Sequence, residues 1–369
     1  MNQNMIHCIV IRLFRECKTS KSRDKFGDHL SRWRHPDSNE GGVSGMISGL
    51  PAIILLGLLL SVPTMAGAAA SPPSRFFIIG DGWIHIRNAK TGQEAKVTLF
   101  TTDGSLNEEG FNRIDKVFGF PTGEKGEHIS PRLICMLDHF SDLVAPGKVI
   151  NLDSGYRSPE YNGTIRNAGG NVARTSQHID GMAIDFNIDG VDGKSLWTII
   201  KNEECCGVGY YGGTDIHLDS ARPRFWEAAT SKIRTGESDY NQRIYLSTDY
   251  DRYRSGEKVR LSLSAISDFS FGINRTVTLT SDTSGTGTTV QVTTGNAADC
   301  VMITNRKASR FIYIDLPVRL PAGKYRVKMD FCNRPFPQMP VEILSNEIEL
   351  SDRPVEKNSP PSPLPKSLH

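Results

Sequence analysis

The chain has no excess of charge of one sign: 43 Lys and Arg stand against 41 Asp and Glu, a formal net charge of +2. That balance removes any global electrostatic case for a nucleic acid or an anionic membrane surface as partner. Glycine and proline, at 34 and 20 residues, exceed average usage only mildly, and charged residues make up 23%. Collagen-like, coiled-coil and wholly disordered chains are thereby excluded. No internal repeat is visible. With 369 residues, 38% of them hydrophobic, the length suits two domains and a leader better than one small module. Function must therefore come from local sites.

Long apolar runs are confined to one place. Residues 50–62 are almost wholly apolar and lead into a string of Ala and Gly ending at Ala70, with A-x-A cleavage options after Ala68 and Ala70. This is the layout of a secretory signal peptide. The uncharged run of residues 50–70 is also long enough to cross a bilayer, so a retained anchor is the alternative, and the only route to a membrane. Residues 1–45 carry eight Lys or Arg and no apolar period, and read as a cytoplasmic or untranslated leader, with Met46 as a candidate translation start. Residues 46–70 are then the signal peptide or anchor, and the mature chain is expected in the periplasm or cell envelope. Export would remove Cys8 and Cys17 and leave Cys135, Cys205, Cys206, Cys300 and Cys332 in an oxidising compartment. Cys300 and Cys332 share the C-terminal part and are the favoured pair, although sequence alone does not fix the pairing.

Residues 75–228 mix short strand-like runs with helical ones and predict an α+β domain. Strands are expected at 83–86 and 95–100, and helices at 107–118 and 130–144, the second opened by Ser130 as a cap and Pro131 at its first position. A polar linker follows at 236–243. Residues 243–350 alternate apolar and polar over short runs between turns, which predicts an all-β, immunoglobulin-like antiparallel sandwich. Residues 353–369 carry five prolines and are expected to be a disordered tail.

Two segments differ from ordinary core text, residues 176–187 and 207–219. In the first, alternation puts Ala183, Asp185 and Asn187 on one strand face and Ile184, Phe186 and Ile188 on the other, with His178 seven residues ahead of Asp185. In the second, Ile216 and Leu218 face the core while Asp215, His217 and Asp219 share the opposite face. Two imidazoles and a carboxylate around an open position describe a catalytic zinc site, which also needs a carboxylate outside the ligand set to carry protons. Asp180 reads as a solvated turn residue, and the adjacent Cys205 and Cys206 lack the C-x-x-C spacing of a metal or redox pair.

Ser176-x-His178-x-x-Gly181-x-Ala183-x-Asp185, followed by His217-x-Asp219, resembles the signature of the zinc D-alanyl-D-alanine carboxypeptidase and murein endopeptidase family, related to the hedgehog and lysostaphin-type metallopeptidases. The Ser-Gly-Tyr-Arg-Ser run at 154–158 and the Arg-Pro-Arg-Phe-Trp run at 222–226 are similar to further parts of that pattern. The resemblance implies a zinc DD-peptidase-like antiparallel sheet with helices, and His178, Asp185 and His217 as ligands of Zn2+. It implies that Arg157 meets a peptide carboxylate or the developing oxyanion. Ser176 and Gln177 read as orienting His178 or binding substrate, with loop capping as the alternative, and Tyr211 beside Tyr210 reads as a groove-lining substrate contact where one of the two is core. Where many members carry the catalytic carboxylate, three residues before the second histidine, this chain has Thr214. Asp219 is the first choice for proton transfer and Asp215 the second. The implied activity is hydrolysis of amide bonds in peptidoglycan stem or cross-link peptides, as endopeptidase or carboxypeptidase, on DD or LD bonds. The rival reading is a non-catalytic wall-binding scaffold with a structural zinc site.

Overall fold

The computed structural model describes residues 74–351 apart from 124, 232–238, 282–286 and 296–297. The expected leader, signal segment and tail lie outside the described residues. Among those residues no helix is long and apolar enough to cross a membrane.

The architecture is mixed α and β, rich in sheet and sparing of helix. Its N-terminal half is a seven-stranded sheet in the order β2-β1-β3-β4-β6-β5-β7. The strands are β1 (Trp83–Asn88), β2 (Glu94–Thr98), β3 (Ile150–Ser154), β4 (Ala183–Ile188), β5 (Gly207–Gly212), β6 (Asp215–Asp219) and β7 (Arg224–Glu227). Helices α1 (Glu108–Phe118), α2 (Pro131–Val144), α3 (Pro159–Asn167) and α4 (Gly193–Asn202) fill the connections. Each helix begins where its sequence supplies a cap. Asn107, Ser130, Ser158 and Asp192 accept the backbone N–H of Gly110, Leu133, Tyr161 and Ser195, which satisfies a donor that the first turn would otherwise leave bare. Helix α1 stops at Gly119, whose φ of 69° is the left-handed closure that glycine supplies most easily.

The sheet is not wholly antiparallel as expected: β1 pairs with β3, and β5 with β7, in parallel. A parallel neighbour needs a crossover, and α1 and α2 provide it between β2 and β3. The apolar faces foreseen for β4 and β6 do point inward. Ile184, Phe186, Ile216 and Leu218 are fully buried in one cluster with Phe111 and Ile114 of α1, Leu133 and Leu137 of α2, and Ile200 of α4.

The C-terminal half has two sheets. One is β14-β10-β8, built from β8 (Tyr245–Thr248), β10 (Lys258–Ser264) and β14 (Ile312–Asp315). The other runs β12-β11-β15-β17-β9, from β9 (Arg252–Arg254), β11 (Phe271–Ser281), β12 (Gly287–Gln291), β15 (Gly323–Asn333) and β17 (Ile348–Ser351); β13 (Cys300–Ile303) pairs with β11 and β16 (Glu342–Leu344) with β15. Leu246, Val259 and Leu261 of the first sheet share a second core with Ile273, Val277, Val327 and Met329 of the other. A single short helix, α5 (Arg306–Arg310), precedes β14. Cys300 and Cys332 form a disulfide between β13 and β15, the pair favoured from sequence. Strands β9 and β17 run parallel, another departure from the antiparallel expectation.

Candidate metal centre

The site is assembled on the polar face of the first sheet, opposite its core. Asp185 on β4 and His217 on β6 are directly paired residues of the antiparallel ladder, so the register alone brings their side chains together. His178 arrives from the loop before β4. Ligand-capable atoms of His178, Asp185 and His217 lie within 4.8 Å of one another, and all three residues are buried. His217 Nδ1 is 2.9 Å from Asp185 Oδ1, and His178 Nε2 is 3.2 Å from the same oxygen and 3.3 Å from His217 Nδ1.

The outward nitrogen of each imidazole is engaged as a donor, which fixes the tautomer. His178 Nδ1 donates to the carbonyl of Gly155 at 2.7 Å, and His217 Nε2 donates to Asp219 Oδ2 at 2.8 Å. Both rings therefore turn their other nitrogen toward the cluster, as outer partners of metal-binding histidines do. Burial lowers the His178 pKa by disfavouring the cation. Burial acts the same way on His217, but its bonds to Asp185 and Asp219 outweigh it and raise that pKa. Burial alone would raise Asp185, yet the two imidazoles hold its carboxyl well below the usual carboxylate range.

Asp219 stands behind the cluster. It is fully buried, and beyond His217 it accepts from the Ala221 amide and from both terminal nitrogens of Arg224, at 3.0 and 2.7 Å. Burial would raise its pKa, and Arg224 with His217 lowers it instead. An acceptor so enclosed, on the far nitrogen of His217, is placed to orient that ring. Asp219, the first choice for proton transfer, thus lies behind His217 and does not line the cleft, whereas Asp215, the second choice, does. The glycines of β5 make the room: a Cβ at Gly207 would fall 2.2 Å from Asp219 Oδ2, and one at Gly209 would fall 2.4 Å from the Trp226 indole, whose ring packs on His217 at 4.9 Å between centroids.

In front of the cluster, a cleft of about 440 Å³ is lined by Asp153, Ser154, Arg157, Asp185, Tyr211 and Asp215 among others. Arg157 donates to Asp185 Oδ2 at 2.5 Å and to Ser154 Oγ at 2.9 Å, and the Tyr211 hydroxyl donates to Asp185 Oδ1 at 3.1 Å. Ser176 and Gln177 do not line the cleft; Gln177 is buried, and its side-chain oxygen has no partner. Asp180, expected in solvent, has a side chain only 6% exposed and pairs with Arg306. Three cleft or support residues carried no sequence assignment: Asp153, Asn187 and Arg224. The Asn187 amide bridges Asp153 Oδ2 and Asp215 Oδ1, at 3.1 Å to each. Burial, then the charge of Asp215, raises the Asp153 pKa. The strand alternation that located Asp185 extends to Asn187, but Asp153 needed the pairing of β3 with β4 to be seen as its neighbour.

One imidazole and one carboxylate fixed on a rigid sheet, with a second imidazole brought in by the preceding loop, form beside an open cleft the arrangement of a metal-site hydrolase. Comparison with known proteins makes the class specific. Residues 80–226 match the family described as Peptidoglycan L,D-endopeptidase MepK. The protein of that name from Escherichia coli (strain K12) is 30% identical over 166 residues, which cover 45% of this chain and 87% of the relative, and the Shigella flexneri protein gives the same figures. A probable peptidoglycan L,D-endopeptidase MepK from Haemophilus influenzae is 38% identical over 79 residues, 21% of this chain and 42% of that relative. The chain belongs to this family of murein endopeptidases of the M15 type, and is a peptidase by that membership.

Proposed function

We propose that the chain is an exported zinc-dependent endopeptidase that hydrolyses L,D amide bonds in peptidoglycan cross-links. The observation that carries the reading is the convergence of His178 Nε2, Asp185 and His217 Nδ1 beside an open cleft; the bond type follows the printed activity of the relatives. The donor set fits zinc, because both imidazoles are held in the tautomer that offers a lone pair inward and the carboxylate is kept ionised. Bound there, zinc supplies Lewis acidity toward the scissile carbonyl and lowers the pKa of water to about 7.

The remaining work falls to side chains of the chain. Arg157 lies along the cleft with a fork suited to a peptide carboxylate or to the charge that develops on the carbonyl oxygen. Asp215 is the carboxylate that exchanges protons with water and the leaving amine, held by the Asn187 amide it shares with Asp153. Asp219 keeps His217 in its tautomer, and Tyr211 steadies Asp185 from the cleft side. In this reading residues 75–228 form the zinc peptidase domain, residues 243–350 an immunoglobulin-like sandwich, and residues 46–70 the export signal.

The test incubates metal-loaded and chelator-treated chain with cross-linked murein and resolves the fragments by mass spectrometry. Zinc-dependent loss of L,D cross-links is the expected result. Release of a terminal D-alanine alone would make the activity that of a carboxypeptidase, and unchanged murein at one equivalent of bound zinc would overturn the hydrolytic reading.

A further inference from the structure

The three cluster residues are not held alike. Asp185 and His217 sit in a hydrogen-bonded ladder, whereas His178 rides on a loop that must be fixed by other means. One side of that loop is tied to the first half of the chain. The Arg157 amide donates to the His178 carbonyl at 3.2 Å, and the Ser130 amide to the Gly181 carbonyl at 2.8 Å. Gly181 itself has a φ of 67°, and a Cβ there would fall 2.5 Å from the Phe120 ring.

The other side is gripped entirely by residues of the C-terminal half. Arg306 Nη1 donates to Asp180 Oδ1 at 2.6 Å, and the Ala265 amide donates to Asp180 Oδ2 at 2.8 Å. Arg310 Nη2 donates to the carbonyl of Ile179 at 3.1 Å, its guanidinium over the Phe120 ring at 5.5 Å from the centroid. Helix α5 supplies both arginines. Four residues apart they share one helix face, so a single turn, capped by Asn305 on the Ala308 amide, reaches the two residues that follow His178.

We infer that Asp180 and Arg306 are positioning residues for the metal centre, through which the C-terminal half holds the His178 loop in its metal-competent shape. The inference rests on the reading of His178 as a metal ligand. It gives the β-rich half a part in building the centre, beyond any role as a separate wall-binding module. The physical reason is that the Asp180 carboxylate is buried with both oxygens committed. Losing Arg306 leaves that charge uncompensated, and the loop must move to rehydrate it. Such movement displaces His178 directly, two residues away. Outer contacts that orient metal ligands are worth roughly 10- to 100-fold in affinity.

The test measures zinc affinity by competition with a chromophoric chelator, together with the visible spectrum of the cobalt-substituted full chain, for Arg306→Met, Arg306→Lys, Asp180→Asn and a control. The control is Arg75→Met, which breaks a different contact between the halves, the pair with Glu257. Arg306→Met and Asp180→Asn are expected to weaken zinc roughly 10- to 100-fold and alter the cobalt spectrum, with Arg306→Lys recovering part of the loss. Arg75→Met is expected to lower the melting temperature and change neither metal readout. Wild-type affinity and spectrum in Arg306→Met and Asp180→Asn would overturn the inference; should Arg306→Met fail to fold, the near-isosteric Asp180→Asn decides. A wild-type chain that binds zinc but leaves murein intact overturns the proposed function and not this inference, whereas one that binds no zinc overturns both.

Discussion

At the scale of single residues, the centre depends on atoms that never touch the cleft. Asp219 bonds the far nitrogen of His217 and so fixes which nitrogen of that ring faces Asp185. Asp219→Asn is therefore expected to weaken metal binding roughly 10- to 100-fold, measured by chelator competition, while the secondary structure seen by circular dichroism stays in place. Unchanged affinity would mean that the ring is oriented by Trp226 packing alone. A second residue reports on pH. Asp138 accepts from the amides of Gly80 and Gly82, both at 3.0 Å, and burial with Asp142 and Asp81 nearby raises its pKa from 3.8 to about 7. A carboxyl raised on folding contributes stability that is full below about pH 4, falls as pH rises to about 7 and is lost above it. Asp138→Asn keeps an acceptor for the two amides. It should leave the melting temperature unchanged near pH 4 and raise it near pH 8, checked by thermal unfolding across that range.

At the scale of elements, the strands that carry chemistry were the most legible. Period-two alternation put Asp185 and His217 on polar faces, and the helices expected over 107–118 and 130–144, the second from the Ser130 cap and apolar spacing, are reproduced within a residue. What alternation could not supply was the neighbour of each strand. The parallel pairs β1 with β3 and β5 with β7 are decided by how the connections cross the sheet, and no run of residues encodes that locally. The same holds for Asp153, which joins the cleft only because β3 lies beside β4. In the second half, the disulfide between β13 and β15 closes a separation of 32 residues. Replacing both Cys300 and Cys332 by Ser is expected to lower stability by roughly 3–4 kcal/mol, read from denaturant unfolding under oxidising conditions. Gly272 between them leaves the space, since a Cβ there would fall 2.5 and 2.8 Å from the two sulfurs.

At the scale of the whole molecule, the two cores are separate but the centre draws on both halves. A ligand that binds only the folded state stabilises it by mass action, so zinc at a hundredfold excess over its dissociation constant is worth about 2.7 kcal/mol. For a chain of this size, removing the metal should lower the melting temperature by roughly 3 to 5 °C. A chelator titration followed by scanning calorimetry checks this; a melting temperature indifferent to chelator would count against a folded-state metal site.

The sequence by itself determined the residue types of the centre, the strand faces that present Asp185 and His217, and the glycines beside them, because each of these is a local property with a fixed period or a steric demand. Family membership was legible for the same reason, since ordered motifs survive at set spacings. Only the tertiary structure decided which carboxylates stand in the cleft, which one is enclosed behind His217, and that Asp180 is clamped by Arg306 rather than solvated. Those outcomes depend on contacts that strand alternation does not encode, Asp219 with Arg224 five residues on and Asp180 with a helix 126 residues away. Burial, which opposes the charge of Asp185 and Asp219 and makes their paired partners necessary, exists only once the chain has closed around them.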